Sequence, residues 1–342
     1  MRVVIFGASG NVGIALLRAL TAGTADHEIV GVARRKPSTA PGGVEWVGAD
    51  IAGDPLEPIV RGADAVVHLA WLIQPSRSPG TLRSVNIGGT DRVMAAVAAE
   101  RVPAFVYASS VGAYSPAPNA HPVDESWPTH GIETSSYSRQ KAYTERMLDA
   151  FEASNPDIRT VRMRPALTFQ TEASASQRRY FAGPFLPRAL LRPGALPFVP
   201  YLPGLRFQAV HAADAAEAYR LALLRDVRGA FNIAADPVLS LNDIAKLLRS
   251  RAVPVPVAVA RTAMDLTWRL RLQPTPTGWL DMALHCPVLD ASRARAELGW
   301  TPGFSGREAV RTVLRGIALA ACGPTPPLQE MSVGEHLRQA RR

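Results

Sequence analysis

The sequence has only two cysteines, three lysines and no long hydrophobic run among its 342 residues. Cys286 and Cys322 cannot build a disulfide framework, which favours a reducing compartment. No stretch reaches the roughly 18 apolar residues that a membrane-spanning helix needs. Gly7 interrupts the apolar start of the chain too early for a signal peptide. We therefore expect a cytoplasmic protein with no membrane partner.

Patterns typical of metal and nucleic-acid binding are also missing. No group of histidines, cysteines and carboxylates has the spacing of a metal site. The 38 Lys+Arg residues exceed the 29 Asp+Glu residues, which gives a net charge of +9. The arginines are spread along the chain and form no basic stripe with interleaved aromatic residues. We interpret the charge as a solvated surface and expect neither a metal nor a nucleic acid as partner.

Short apolar runs alternate with amphipathic stretches through the first half of the chain. This order predicts an α/β fold, with a parallel sheet covered by helices on both faces. Right-handed crossovers then place the carboxyl ends of the strands along one edge, where ligands bind. The predicted strands are 3–6, 29–33, 44–47, 65–69, 104–108, 160–163, 207–210 and 230–234. The predicted helices are 12–21, 82–100, 136–153, 212–224, 241–250 and 305–321.

A glycine-rich turn, Gly-x-x-Gly-x-x-Gly, lies between the first predicted strand and the first predicted helix. Gly7 permits the tight turn, Gly10 lets the backbone approach a pyrophosphate, and Gly13 allows close packing of helix and strand. The helix N-terminus adds N–H donors and a positive dipole end. The pattern predicts a doubly wound Rossmann sheet that binds a dinucleotide. The residues assigned to this turn are Gly7, Ser9, Gly10, Asn11, Val12 and Gly13.

The end of the second predicted strand bears on the choice of dinucleotide. An acidic residue there would accept hydrogen bonds from the adenosine ribose of NAD. The chain has Arg34, Arg35 and Lys36 instead, and these cations suit the 2′-phosphate of NADP. We therefore favour NADP. NAD remains the alternative, with the basic residues forming a solvated turn.

A tyrosine and a lysine, Tyr137 and Lys141, lie four residues apart on a predicted helix and so share one face. A nearby ammonium stabilises the phenolate and lowers the pKa of the phenol, which prepares the tyrosine for acid–base catalysis. Ser109 and Ser110 follow the apolar strand 104–108, and one of these hydroxyls can hold a substrate oxygen near Tyr137. The three types of residue together predict an active site.

These residues resemble the short-chain dehydrogenase/reductase superfamily, specifically its extended branch, the NAD(P)-dependent epimerase/dehydratase-like proteins. The resemblance covers most of the chain. Besides the glycine turn and the Tyr137/Lys141 pair, it rests on a series of shorter stretches. These are Asp50-Ile51, His68-Leu69-Ala70, 86–90, Arg164-Pro165, 210–214 and 289–300.

The resemblance implies roles for individual residues. Ser110 would be the catalytic serine, and Lys141 would also bind the nicotinamide ribose. The dinucleotide would further contact the strand ends and the loops that follow them, and a homodimer is plausible from the family. The residues implied in these further contacts are Asp50, Ile51, Leu69, Ala70, Asn86, Tyr137 and Pro165.

Two departures from the family pattern bear on the reaction. Val111-Gly112 follow Ser110 where sugar-nucleotide dehydratases carry acidic residues, so elimination chemistry is disfavoured. The stretch 166–170 lacks the Asn and Gly-Pro of many epimerases, and segments 185–187 and 196–202 are apolar. We therefore expect hydride transfer between nicotinamide and a small, weakly polar carbonyl or alcohol substrate. The alternatives are a nucleotide-sugar epimerase and a non-catalytic dinucleotide-binding sensor.

The distribution of proline along the sequence also predicts a division of the chain into a domain, a smaller lobe and a tail. Residues 1–170 are expected to form the dinucleotide-binding domain, to which 207–236 return. Residues 171–206 and 237–322 are expected to form a smaller C-terminal substrate lobe, because they are interrupted by proline. Residues 323–342 are expected to form a loosely held tail.

Overall fold

A computed structural model describes residues 1–22, 27–38, 42–74, 77–117, 121–181 and 187–330 of the chain. Its main sheet has seven strands, all parallel, in the order β10-β6-β5-β4-β1-β2-β3. This order confirms the predicted doubly wound Rossmann fold. The strands are β1 (Arg2–Phe6), β2 (Glu28–Ala33), β3 (Val44–Gly48), β4 (Ala65–His68), β5 (Ala104–Ala108), β6 (Arg159–Pro165) and β10 (Gly229–Ile233).

Helices cover both faces of this sheet and bury its apolar side chains. One face packs against α1 (Asn11–Thr21) and α7 (Ala212–Leu224), and the other against α4 (Gly89–Ala99) and α5 (Ser136–Ser154). The strands are rich in Val and Ile that are buried on both sides, as expected for a parallel sheet. The remaining helices are α2 (Glu57–Val60), α3 (Pro79–Arg83), α6 (Ser174–Phe181), α8 (Leu241–Leu247), α9 (Val257–Arg269), α10 (Gly278–His285) and α11 (Gly306–Ala318).

Smaller sheets form beside the main one. The first has three strands in the order β11-β9-β7, and the second pairs β12 with β8. All eight predicted strands are present with bounds within two residues, while four short strands were not predicted. These sheets use β7 (Leu167–Phe169), β8 (Phe198–Tyr201), β9 (Arg206–His211), β11 (Ala235–Ser240) and β12 (Arg251–Pro254).

The predicted helix 82–100 is interrupted in the structure. The chain forms α3, then a π-helical turn over Ser84–Gly88, then α4. A glycine pair in this stretch weakens the regular helix. One of the pair, Gly89, also permits close packing, because a Cβ there would lie 2.6 Å from the Cδ1 atom of Ile51.

The tail was expected to be loosely held, and the structure corrects this for its first part. Thr325 is fully buried and Leu328 is 1% exposed, in the same core cluster as α1. The physical reason is that Leu328 is buried in the core cluster that contains α1, while the Thr325 hydroxyl hydrogen-bonds to the backbone of Ser9. Residues 331–342 lie outside the described residues.

Candidate active site

Tyr137 lies in the first turn of α5 and is enclosed by aromatic side chains. Ser135 caps this helix, since its hydroxyl accepts a hydrogen bond from a backbone amide of the first turn at 3.3 Å. The Tyr137 ring centroid is 5.1 Å from that of Trp279 and 6.0 Å from that of Trp71. Burial raises the pKa of the Tyr137 phenol to about 12, and a hydrogen bond with Ser110 acts in the opposite direction. Tyr137 is therefore protonated at neutral pH.

Lys141 lies one helical turn after Tyr137 and is 3% exposed. Its Nζ donates a hydrogen bond to the Ala108 carbonyl at 2.6 Å and lies 3.6 Å from the centroid of the Trp71 ring. Burial lowers the pKa of Lys141 well below its ordinary value, and the charge of Glu145 raises it. The ammonium is therefore directed at the end of β5 and at Trp71.

The two serines after β5 have different partners. The Ser110 hydroxyl accepts a hydrogen bond from the Gly112 amide at 3.0 Å and lies next to Tyr137, where it acts to lower the pKa of the phenol. The Ser109 hydroxyl donates to the Glu145 carboxylate at 2.5 Å. The structure thus brings Ser110 to Tyr137 and directs Ser109 into the protein interior.

Glu145 is the centre of a buried ionic network that the sequence reasoning missed. Its fully buried carboxylate pairs with Arg162 at 3.0 Å and accepts two hydrogen bonds from Arg164, both at 2.9 Å. Arg164 also donates to the Tyr114 hydroxyl at 2.9 Å. Burial opposes ionisation of Glu145, but the hydrogen bonds and charges of the two arginines hold its pKa at about 2. Two arginines alternating in a buried strand were the signal that could have revealed this network.

The glycine turn joins β1 to α1 and fits a dinucleotide pyrophosphate. Gly7 has a φ of +82°, and a Cβ there would lie 2.6 Å from the Ala70 amide nitrogen, so only glycine fits. A Cβ on Gly13 would lie 2.5 Å from the Gly7 carbonyl oxygen. Gly10 precedes α1, and no side chain caps the helix. The N–H groups of the first turn are therefore available to an anion.

The other residues of this turn are held by the rest of the chain. The Thr325 hydroxyl donates a hydrogen bond to the Ser9 carbonyl at 2.7 Å. The Gln170 side chain donates to the Asn11 side-chain oxygen at 2.8 Å, and Val12 packs against the core beneath. Ser9, Asn11 and Val12 thus lie in and directly after the turn that joins β1 to α1. Thr325 could not be predicted, because it is more than 300 residues away along the chain.

The ends of β2 and β3 place the residues predicted to contact the adenosine. Arg34 and Arg35 follow β2 directly and are exposed, and no hydrogen bond or ion pair to another described residue engages either guanidinium group. Asp50 and Ile51 follow β3. The Asp50 carboxylate accepts a hydrogen bond from the Ala52 amide at 3.0 Å, while the Ile51 side chain is buried against Gly89.

The loop after β4 carries the next predicted contacts. Leu69 and Ala70 are partly buried beside the glycine turn, and Pro165 ends β6 at the same edge of the sheet. Asn86 is buried and accepts a hydrogen bond from the Leu72 amide at 2.7 Å, with a further bond to α5 at 2.8 Å. Its visible contacts thus fix the loop that carries Trp71.

A small recess opens beside Tyr137. Phe181 packs edge-on against the Trp279 ring, with 5.4 Å between centroids. Gly278 lets α10 lie directly on the backbone that leads into α5, because a Cβ there would clash with the Thr134 carbonyl oxygen. The sequence reasoning missed Trp279, which lies 142 residues beyond Tyr137 and meets it only in the fold. The recess is lined by Leu72, Ile73, Leu82, Ser136, Tyr137, Gln140 and Trp279.

Within the described part of the chain, no group of three or more His, Cys, Asp or Glu residues is placed to hold a metal ion. No helix there is long and apolar enough to cross a bilayer.

Comparison with known proteins gives a family match and several relatives. The sequence profile of the NAD dependent epimerase/dehydratase family matches residues 3–234. The chain is 27% identical over 312 residues to an uncharacterised protein of Mycobacterium tuberculosis, covering 90% of the chain but only 29% of that relative's length. It is 26% identical over 323 residues to the 4-hydroxy-2-methyl-3-oxo-4-farnesyl-3,4-dihydroquinoline-1-oxide ketoreductase of Stigmatella aurantiaca, covering 88% of the chain and 92% of that enzyme.

Solved structures share the fold at low sequence identity. The UDP-glucose 4-epimerase of Thermus thermophilus, in complex with NAD, gives a TM-score of 0.68 at 21% identity, over 93% of this chain and 99% of that one. The UDP-glucose 4-epimerase of Thermotoga maritima, with UDP-glucose, gives a TM-score of 0.68 at 19% sequence identity. The match covers 94% of this chain and 99% of that one. Because the family profile spans more than half of the sequence, and its motifs lie where the fold places them, the chain belongs to the NAD dependent epimerase/dehydratase family, a family of enzymes.

Proposed function

We propose that the protein is an oxidoreductase that moves hydride between a nicotinamide cofactor, preferably NADP, and a weakly polar carbonyl or alcohol. Residues 1–170 and 207–236 would hold the dinucleotide, and 171–206 with 237–322 would close over the substrate. The observation that carries the proposal is the placement of the Tyr137 phenol beside Ser110 and at the wall of a recess that Trp279 also lines.

The catalytic residues can act on a carbonyl group as follows. When bound, the nicotinamide supplies the hydride for the substrate carbon. Tyr137 donates its proton to the carbonyl oxygen, and Ser110 orients that oxygen by a hydrogen bond. Lys141 lies one turn away, so rotation of its side chain would bring the ammonium towards the phenol and lower the Tyr137 pKa from about 12.

Part of the lining of the recess favours a weakly polar substrate. Leu72, Ile73, Leu82 and Trp279 contribute apolar side chains beside Tyr137, while Ser136 and Gln140 contribute polar ones. The similarity to a ketoreductase whose named substrate carries a farnesyl group points the same way.

A nucleotide-sugar epimerase is the second candidate, because the solved structures that share the fold include UDP-glucose 4-epimerases. In that case the same residues would oxidise and then re-reduce one carbon. Arg178 and Arg206 in the C-terminal part of the chain are candidate contacts for an anionic substrate.

Replacement of Tyr137 tests the proposed chemistry. We expect Tyr137→Phe to lower kcat by about 1,000-fold, because general acid catalysis is lost, while the cofactor Kd changes little. Tyr143→Phe is the matched control, since Tyr143 lies on the same helix and is 50% exposed. Steady-state kinetics with hydrophobic ketones, compared with UDP- and dTDP-sugars, identify the substrate class. Turnover of the sugars alone would replace the reductase by the epimerase, and full activity of Tyr137→Phe would overturn both.

A further inference from the structure

Segment 253–272 carries an unusual share of exposed apolar side chains. Among the described residues, six of the fifteen exposed large apolar side chains lie in this segment. No residue of α9, which occupies most of it, is buried. Concentrated apolar exposure of this kind marks an interaction surface rather than ordinary scatter. The six are Val253, Val257, Val259, Leu266, Leu270 and Leu272.

One face of α9 is apolar and points outward. Val259, Ala263, Leu266 and Leu270 follow each other at spacings of four, three and four residues, so they form one stripe along the helix. The exposed fractions of Val259, Leu266 and Leu270 are 57%, 56% and 60%. We call these four residues the α9 stripe.

The opposite face of α9 attaches the helix to the rest of the molecule. The Arg77 guanidinium hydrogen-bonds to the Trp268 carbonyl and lies 4.3 Å from the centroid of its ring. Arg261 pairs with Asp281 of α10. The helix is thus anchored by one face, and the α9 stripe is left to solvent.

The sequence around the α9 stripe carries a net positive charge. Residues 249–272 contain five arginines and a single carboxylate, Asp265, which pairs with Arg269 at 2.8 Å, while Arg261 pairs with Asp281 of α10. A symmetric contact between two copies of the chain would bring these like charges together, which is unfavourable. A surface that is anionic outside and apolar inside would attract the positive charge and also bury the apolar side chains of the α9 stripe.

We propose that α9 docks the protein on an anionic lipid surface, with the α9 stripe buried at the headgroup boundary and the net positive charge of residues 249–272 attracted to the lipid phosphates. A helix that lies in the lipid headgroup region needs neither a membrane-spanning segment nor a signal peptide, whose absence from the sequence led us to expect no membrane partner. The docked helix is connected to the recess, because α10 carries both the partner of Arg261 and Trp279 beside Tyr137. The docking does not depend on the proposed chemistry.

Flotation of the full chain with lipid vesicles tests the docking. We expect binding to phosphatidylcholine vesicles containing phosphatidylglycerol, weak binding to pure phosphatidylcholine, and release by high salt, because screening removes the phosphate attraction. The double variant Leu266→Glu/Leu270→Glu should bind the anionic vesicles at least about tenfold more weakly. Both residues are exposed, so the fold should be retained, and circular dichroism checks this.

The matched control is Leu224→Glu/Leu319→Glu, which adds the same charge at leucines that are 50% and 66% exposed elsewhere. It should bind vesicles nearly as well as the unmodified chain. Absence of vesicle binding by the unmodified chain, or equal loss in both variants, would overturn the proposal. A dimer in light scattering that only the stripe variant dissociates, without vesicle binding, would assign the face to a second copy instead.

Discussion

At the scale of single residues, the candidate site depends on what surrounds each group. Tyr137 and Lys141 have the spacing that suggests a catalytic pair, yet Lys141 contacts Ala108 and Trp71 and is buried. Burial alone moves the pKa values of both groups away from their ordinary values, upward for the phenol and downward for the ammonium. A ligand that reorganises Trp71 would therefore also change the chemistry of Lys141.

Arg34 and Arg35 should determine the proposed preference for NADP. Arg34→Ala/Arg35→Ala should weaken NADPH binding about tenfold or more, because charge-assisted hydrogen bonds to the 2′-phosphate are lost. NADH binding should change little, and fluorescence titration measures both. Arg315→Ala, an exposed arginine on α11, is the control. An equal loss for NADH and NADPH would contradict the assignment.

Glu145 should be important for stability, because its removal leaves two buried arginines without their shared carboxylate. We expect Glu145→Gln to lower the free energy of unfolding by about 3–5 kcal/mol. The control is Glu152→Gln. Glu152 also pairs with Arg162, but its own side chain is 35% exposed, so this change should lower the free energy of unfolding by about 1 kcal/mol or less. Urea denaturation measures the free energy of unfolding of both variants. Similar losses in the two would contradict the central role of Glu145 in the network.

At the scale of secondary-structure elements, predictions succeed where one segment carries its own signal. The strands of the main sheet and helices such as α1 and α5 lie close to their predicted bounds. The spacing of apolar residues within each segment indicates whether it is buried on both faces, as in these strands, or along one stripe, as in these helices. Helices α9 and α10 were not predicted, because prolines interrupt the sequence around them. Pro256 immediately precedes α9, a position that tolerates proline at the start of a helix.

The C-terminal segment should act as a strap on the glycine turn. Thr325→Val keeps the side-chain shape but removes the hydroxyl that bonds the Ser9 carbonyl, so cofactor Kd should rise about three- to tenfold. Thr325→Ser keeps the hydroxyl and should bind cofactor nearly normally. Titration calorimetry supplies the Kd values, and thermal melts separate this effect from general destabilisation. Equal Kd values for the two variants would exclude a positioning role.

At the scale of the whole molecule, stability should depend on pH through carboxylates that are paired in the fold. The folded-state pKa of Glu145 is about 2, below its ordinary value of 4.5, and the pKa of Asp149 is also lowered by Arg146 and Arg162 against the effect of burial. A depressed folded pKa adds stability above the unfolded pKa, and this is lost as pH falls. Glu125 acts in the opposite sense, since burial raises its pKa.

Thermal melts between pH 7 and pH 2 measure this dependence. We expect the melting temperature to fall as pH drops below about 5, since the unfolded chain then binds more protons than the folded one. Glu145→Gln should show a shallower fall, because one of the linked carboxylates is gone. A melting temperature that stays constant down to pH 2 would contradict this account.

The sequence by itself determined the alternating strands and helices, the glycine turn and the spacing of Tyr137 and Lys141, because each is encoded within a few neighbouring residues. Only the tertiary structure decided which distant groups meet. Trp279 reaches Tyr137, Thr325 reaches Ser9, and Glu145 gathers two arginines from β6. Contacts between residues far apart in the chain depend on the packing of whole elements, and no local pattern records them.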